Sequence, residues 1–258
     1  MNAFKLKVIA LTAMFIDHIG AVFSDYAPLE FRVIGRLTFP IFVYLIAEGF
    51  RHTRSPKKYL IRLFAFAIIS EPFYDWAIQR SQNINAGLSP WHVDFLNNTN
   101  IFYTLFLGGL AIAAFQWIGK ALSQWNFDDS SPEDRFTVAA ISALPTLGLM
   151  WIAEFFSTDY GAYGVLFIFL MYVVKNPKWL MLSVFAVMNV LQHRGLLPFY
   201  MDRIPMALGF HLFIPATLLT VPLIALYNGK RGPSFKWLFY IAYPAHLGIL
   251  AAAAWFIL

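Results

Sequence analysis

The chain has 258 residues and no cysteine, which excludes disulfides, thiolate nucleophiles and cysteine-based metal sites. It is also poor in charge. Asp, Glu, Lys and Arg make up 13% of the residues and hydrophobic side chains 59%, too little polar surface to cover a water-soluble globule of this length. The alternating segments of about ten residues that build a membrane β-barrel are missing, as are internal repeats and low-complexity tracts. No His-x-x-x-His or Glu-x-x-His pattern falls on one helix face, so no metal is expected. What is present is a series of mostly apolar runs of about 17 to 25 residues, the length an α-helix needs to cross the hydrocarbon core.

These runs predict an all-α polytopic transmembrane helical bundle forming one domain over residues 1–258. About nine spans are expected, at Lys5–Ser24, Val33–Phe50, Tyr59–Gln79, Ile101–Leu122, Phe136–Phe156, Gly161–Val174, Lys178–Gln192, Ala207–Tyr227 and Phe235–Leu258. The sixth and seventh are short enough to be a re-entrant or interfacial pair, which gives a range of about eight to ten. The first run is expected to be retained, because an Asp-His pair interrupts it and no clean cleavage site follows. Pro40, Pro72, Pro145, Pro215, Pro222 and Pro244 fall inside spans, where they favour kinks around a cavity. With the N-terminus in the cytoplasm, only Arg32, Arg36, Arg80, Arg194 and Arg203 of the 19 Lys and Arg face outward. Topology therefore accounts for most of the net charge of +5, and nucleic acid is not an expected partner.

Several ionisable residues lie inside the apolar runs: Asp17 and His18 in the first, Arg36 in the second, Glu71 in the third and His246 in the last. A charge near the centre of a membrane helix costs about 2.5 to 3.5 kcal/mol on insertion scales, so such groups usually face a protein-lined cavity. Two basic clusters fall on the cytoplasmic side, one with Arg51, Arg54 and Arg62, the other the turn Asn228-Gly229-Lys230-Arg231-Gly232. Either can hold a phosphorylated ligand. Either also serves as a topology signal that binds anionic membrane lipid. The 27 phenylalanines and eight tryptophans are expected to face lipid and the interfaces rather than a ligand.

The strings Asp17-His18-Ile19-Gly20, Gly35-Arg36-Leu37-Thr38-Phe39-Pro40-Ile41-Phe42 and Ala47-Glu48-Gly49-Phe50-Arg51-His52-Thr53-Arg54 closely resemble the TraX family of bacterial membrane proteins. Further matches are Ser70-Glu71-Pro72, Asn100 with Thr104, Asp159-Tyr160-Gly161-Ala162-Tyr163-Gly164, the turn at 227–232 and Tyr243-Pro244-Ala245-His246. The resemblance implies a bacterial inner-membrane acetyltransferase, since the family's namesake N-acetylates the pilin subunit of a conjugative pilus. The chain is also distantly similar to the acyltransferase-3 and heparan-glucosaminide acetyltransferase families, which use cytoplasmic acetyl-CoA. In the former a basic residue stands eleven positions before an essential histidine, as Lys7 stands before His18 here.

Acetyl transfer from a thioester needs a base for the proton of the acceptor hydroxyl or amine, and imidazole suits that task. His18 is the candidate. Asp17 points about 100° around the helix from His18 and is expected to pair with Arg36, so a different acid is expected to orient His18, Glu71 being one candidate. Glu71 lies about 14 Å along its helix from Arg62, near the membrane middle. An interhelical polar cluster that only holds the bundle together is the alternative for Asp17, His18 and Arg36. Tyr240, Tyr243 and His246 follow one side of the last span, so His246 is a second candidate for the reaction centre; His193 and His211 are weaker. Lys7, Arg51, Arg54, Arg62, Asn228, Lys230 and Arg231 are expected to meet acetyl-CoA. Arg36, Glu48, Asn100, Thr104, Asp159, Tyr160 and Tyr243 are expected in a substrate-binding or structural polar core, Asn100 most simply as a helix cap. An ion- or proton-coupled transporter, or a non-catalytic assembly protein, is the competing class.

Overall fold

The computed structural model describes residues 1–124, 131–193 and 212–257. Arg194, Arg203, His211 and the start of the expected eighth span lie outside them. All regular structure among the described residues is helical. The helices are α1 (Ala3–Val22), α2 (Glu30–Gly35), α3 (Thr38–His52), α4 (Pro56–Tyr74), α5 (Arg80–Asn85), α6 (Ile101–Leu122), α7 (Pro132–Phe155), α8 (Gly161–Val173), α9 (Lys178–His193), α10 (Ile214–Leu218), α11 (Thr220–Ala225) and α12 (Lys236–Ile257). Starts are marked in the sequence by side-chain caps. Asn2 accepts from Lys5 N, Ser55 from Lys58 N, Asn100 from Phe102 N and Ser131 from Asp134 N, with Pro56 and Pro132 supplying the preset first turn of α4 and α7. Pro72 has no N–H to donate inside α4, and the chain loosens into a π-helical turn over Asp75–Gln79 immediately afterwards.

Among the described residues four stretches are long and apolar enough to cross a membrane: Glu30–His52, Ile101–Leu122, Pro132–Phe155 and Trp237–Ile257. Two features set the described parts of the other expected spans apart from these. The first and third carry charges within them, Lys5, Lys7 and Asp17 in α1 and Lys57, Lys58, Arg62 and Glu71 in α4. The apolar helices Gly161–Val173, Lys178–Leu191 and Ile214–Ala225 are shorter.

Helices α6, α7 and α8 pack on one another around Leu107, Ala111, Leu149, Ala153, Val165 and Phe169. On its other side α7 turns Leu144, Leu147, Trp151 and Phe155 outward, a face that hydrocarbon solvates at no cost. The larger core joins α1, α3, α4, α6, α8, α9 and α12. Helix α1 packs against α2, α3 and α12, so the first and last long helices are neighbours. The tight turn from α2 into α3 brings Gly35 against Asp17, where a Cβ would take the place of the carboxylate. Ala3 N donates to Lys230 O (2.9 Å), Phe4 N to Arg231 O (3.1 Å) and Asn228 N to Met1 O (2.9 Å). Positive φ at Gly229 and Gly232 makes that turn possible. The basic loop is thereby fixed beside the start of α1.

Candidate active site

A cavity of about 870 Å³ opens between α1, α3, α4, α6, α12 and the 227–235 loop. That volume is within the usual range of roughly 300 to 1,000 Å³ for small-molecule sites. Lys7 lines one end and His18 the other, and eleven residues of α1 separate them, about 16 Å of helix.

The Lys7 end is basic and aromatic. Lys7, Arg54, Arg62 and Arg231 line it with His52, beside Phe4, Tyr59, Phe235, Phe239 and Tyr240. Lys7 Nζ sits 5.0 Å from the centre of the Phe239 ring and the Arg62 guanidinium 5.7 Å from that of Tyr59, contacts that hold a cation against a ring face. Nε of Arg62 is buried without a hydrogen-bond partner. Glu48 is the carboxylate at this end; it pairs with Arg51 Nη1 at 3.0 Å and with His52 Nε2 at 3.0 Å.

At the other end His18 meets His246, with Nδ1 of His18 2.6 Å from Nε2 of His246. Nδ1 of His246 in turn lies 2.7 Å from the backbone oxygen of Ala242. The two imidazoles are nearly parallel, 6° apart, with Phe15 stacked on His246 at 4.6 Å and Tyr243 edge-on to His18 at 5.9 Å. Next to them Asp17 pairs with Arg32 Nη1 at 2.9 Å and, more distantly, with Arg36 Nη2 at 3.9 Å. Asp159 and Tyr160 close this end from the α7–α8 connection. Tyr160 holds a left-handed backbone, φ 65°, and its ring lies parallel to Phe39 at 3.6 Å. Burial raises the Asp159 carboxyl to about 7, against the opposing pull of Arg36.

The family model described as TraX protein matches residues 3–253. The chain belongs to the TraX family. It is similar to the probable fimbrial assembly protein FimC, serogroup H1, of Dichelobacter nodosus, 31% identical over 264 residues that cover 99% of this chain and 97% of that protein. No solved structure matches.

Set on this TraX chain, the expected site residues divide. His18, Asp17, Lys7, Arg54, Arg62, Arg231, Glu48, Asp159, Tyr160 and Tyr243 line the cavity, and His246 backs His18 from behind its wall. Three expectations are corrected, those for Glu71, for Arg51 and for the pair Asn228 and Lys230. Glu71 does not orient His18: its Oε2 accepts from Asn100 N at 3.1 Å and from Asn100 Nδ2, because the N-terminus of α6 lands on that face of α4. Asp17 pairs with Arg36 as expected but has Arg32 as its nearer partner, and Arg36 also lies 5.0 Å from the Phe213 ring and donates to Arg32 O. Arg51 points to α8, where Nη2 donates to the carbonyls of Met171 and Tyr172, oxygens that a helix end leaves without intrahelical partners. As expected, Asn100 caps α6 through Oδ1, and it donates to Ala67 O at 2.8 Å, while Thr104 Oγ1 ties α6 to Thr158 and the Asp159 carbonyl in the polar core. Asn228 Oδ1 accepts from Lys230 N at 3.1 Å, which shapes the turn; neither residue lines the cavity, although Arg231 does.

Sequence reading missed Arg32, which it took as topology alone, and the phenylalanines of the aromatic wall, which it assigned to lipid. Spacing held a signal for both. Arg32 and Arg36 are one helical turn apart, and Phe235 and Phe239 stand four residues apart directly after the basic turn. Among the described residues no cluster of three or more His, Asp or Glu stands close enough to hold a metal.

Proposed function

We propose that the protein is a membrane-embedded acetyltransferase of the bacterial inner membrane, moving an acetyl group from cytoplasmic acetyl-CoA to an amine or hydroxyl acceptor. The observation that carries the reading is the continuity of the cavity from a rim of four cations to His18. Coenzyme A has an anionic, aromatic end and a thiol end joined by a long slender arm, and the cavity has a chemically matching wall at each position. Lys7, Arg54, Arg62 and Arg231 would hold the phosphates, the guanidiniums through paired N–H donors. The buried Nε of Arg62 is a donor that such a ligand satisfies. Phe235, Phe239 and Tyr240 offer ring faces for the adenine.

His18 then acts as general base. It takes the proton of the acceptor N–H or O–H as the acceptor heteroatom bonds to the acetyl carbon. The carbon–sulfur bond breaks and the leaving sulfur receives the proton from His18, so acetyl acceptor and free thiol are formed and the imidazole ends neutral. Asp17 and Asp159 border the acceptor end, where a cationic or hydroxylic group finds acceptors. The topology belongs to the same proposal. With the N-terminus in the cytoplasm, the Lys7, Arg54, Arg62 and Arg231 rim faces the compartment that holds acetyl-CoA, and about nine apolar segments fold into one domain across the membrane.

The experiment is to incubate the purified protein with acetyl-labelled acetyl-CoA and a membrane extract and identify labelled products. Stable transfer of the label to an envelope peptide, sugar or small amine is expected. Release of free thiol without a labelled acceptor in any fraction would count against it.

A further inference from the structure

Resting on the acetyl-transfer reading, we propose that His246 is a positioning residue that locks His18 in one tautomer, with Nδ1 protonated and Nε2 left as the basic nitrogen. The argument starts from a backbone atom whose role is fixed. The Ala242 oxygen can only accept, so Nδ1 of His246, 2.7 Å away, carries the proton. A neutral imidazole has a single N–H, hence Nε2 of His246 is an acceptor. Nδ1 of His18 lies 2.6 Å from that acceptor and must donate to it. The neutral His18 ring is then left with its lone pair on Nε2, and His18 lines the cavity whereas His246 does not.

The arrangement does the work that a buried carboxylate does for histidine bases elsewhere, without adding a negative charge. Its origin is the contact of α1 with α12, the two ends of the described chain. Phe15 stacked on His246 and Tyr243 edge-on to both rings restrict ring rotation, so the lock is set by packing as well as by the hydrogen bonds. During the reaction His18 gains a proton on Nε2 and returns it to the leaving sulfur; its Nδ1 proton stays in the bond to His246 throughout. The bond shortens the lifetime of the other tautomer, in which Nε2 carries hydrogen and the base is absent.

The test combines nitrogen-15 NMR of histidine-labelled protein, with the His18 signals assigned from the spectrum of His18→Ala, and steady-state kinetics. In the unmodified protein His18 is expected as the Nδ1–H tautomer. His246→Leu removes the acceptor, so His18 should become a tautomer mixture and kcat should fall roughly 100-fold, the scale of a lost general base, with the KM for acetyl-CoA unchanged. His246→Gln restores an acceptor oxygen at similar reach and should recover both the tautomer and most of kcat. An Nε2–H tautomer of His18 in the unmodified protein, or a His246→Leu variant with unaltered tautomer and kcat, overturns the proposal. Absence of transfer by the unmodified protein overturns the underlying reaction, which the tautomer measurement distinguishes because it needs no turnover.

Discussion

Two buried polar clusters sit in the same helical bundle and have opposite fates. In one, Glu71 on α4 is fully buried and its Oε2 is occupied by the backbone and side-chain nitrogens of Asn100, which also caps α6. In the other, His18 on α1 spends only Nδ1 on a partner, His246, and borders an open cavity. An ionisable group inside an apolar helix is costly in both places. What separates a strut from a site is whether an atom with a lone pair or a proton is left facing space that a ligand can enter.

The contrast is broken most directly at His18. His18→Ala should lower acetyl transfer by about 100-fold or more while leaving expression and monodispersity intact, since α1 is held by apolar packing of Leu6, Ala10 and Met14. Retained turnover would remove His18 from the chemistry. Glu71→Leu should do the reverse. It leaves the Asn100 backbone N–H without its acceptor in a buried site and its side-chain amide with Ala67 O alone, which costs about 1 to 3 kcal/mol, so the thermal midpoint in detergent should fall while kcat per folded molecule stays close to the original. A Glu71→Leu protein that is stable but inactive would erase the distinction drawn between the clusters.

The next effects are smaller and concern the rim. Arg54→Ala, Arg62→Ala and Arg231→Ala should each raise the KM for acetyl-CoA about tenfold, the equivalent of one charged hydrogen bond at the lower end of its range, with little change in kcat. Lys230→Ala should change it less than about twofold, because Lys230 is outside the cavity lining. Equal effects at Arg231 and Lys230 would mean that net charge rather than the cavity wall governs binding.

The smallest effect is a pH dependence at the loop end of the site. Asp159 titrates near 7 in the folded protein because burial disfavours its ionised form, against an ordinary value near 3.9 in an unfolded chain. A raised carboxyl favours the folded state while it is protonated, so this contribution is complete below about pH 4 and declines as pH rises through about 7. Asp159→Asn should therefore flatten the fall of the melting temperature between about pH 4 and about pH 7, the interval between the unfolded and folded values in which the loss occurs. Parallel melting curves of the two proteins across that interval would contradict the assignment.

Much of this was legible in the chain before its folding was known. Composition and run length gave the helical class, and the Asn2, Ser55, Asn100 and Ser131 caps mark where helices begin. His18, Arg54, Arg62 and Arg231 stood out as a histidine in an apolar run and basic residues at its cytoplasmic side. What one sequence does not carry is which interhelical neighbour each group meets. Glu71 was a candidate partner for His18 on axial depth alone. Azimuth decided otherwise, since Asp17 faces the α2 turn with Arg32 and Glu71 faces the α6 cap. Arg51 shows the same limit: three residues from Arg54, it turns to the carbonyl end of α8 while Arg54 faces the cavity. The bond between His18 and His246 joins positions 228 residues apart, beyond the reach of any local pattern.

The most direct measurement of the central claim is an experimental structure of the protein with a hydrolysis-resistant acetyl-CoA analogue. The account predicts the phosphates among Lys7, Arg54, Arg62 and Arg231 and the acetyl carbonyl within the cavity end at His18, close enough for an attacking group held by that histidine, about 3 to 3.5 Å from the reacting carbon. An analogue bound elsewhere, or lodged in the cavity with its acetyl group pointing away from His18, would contradict it.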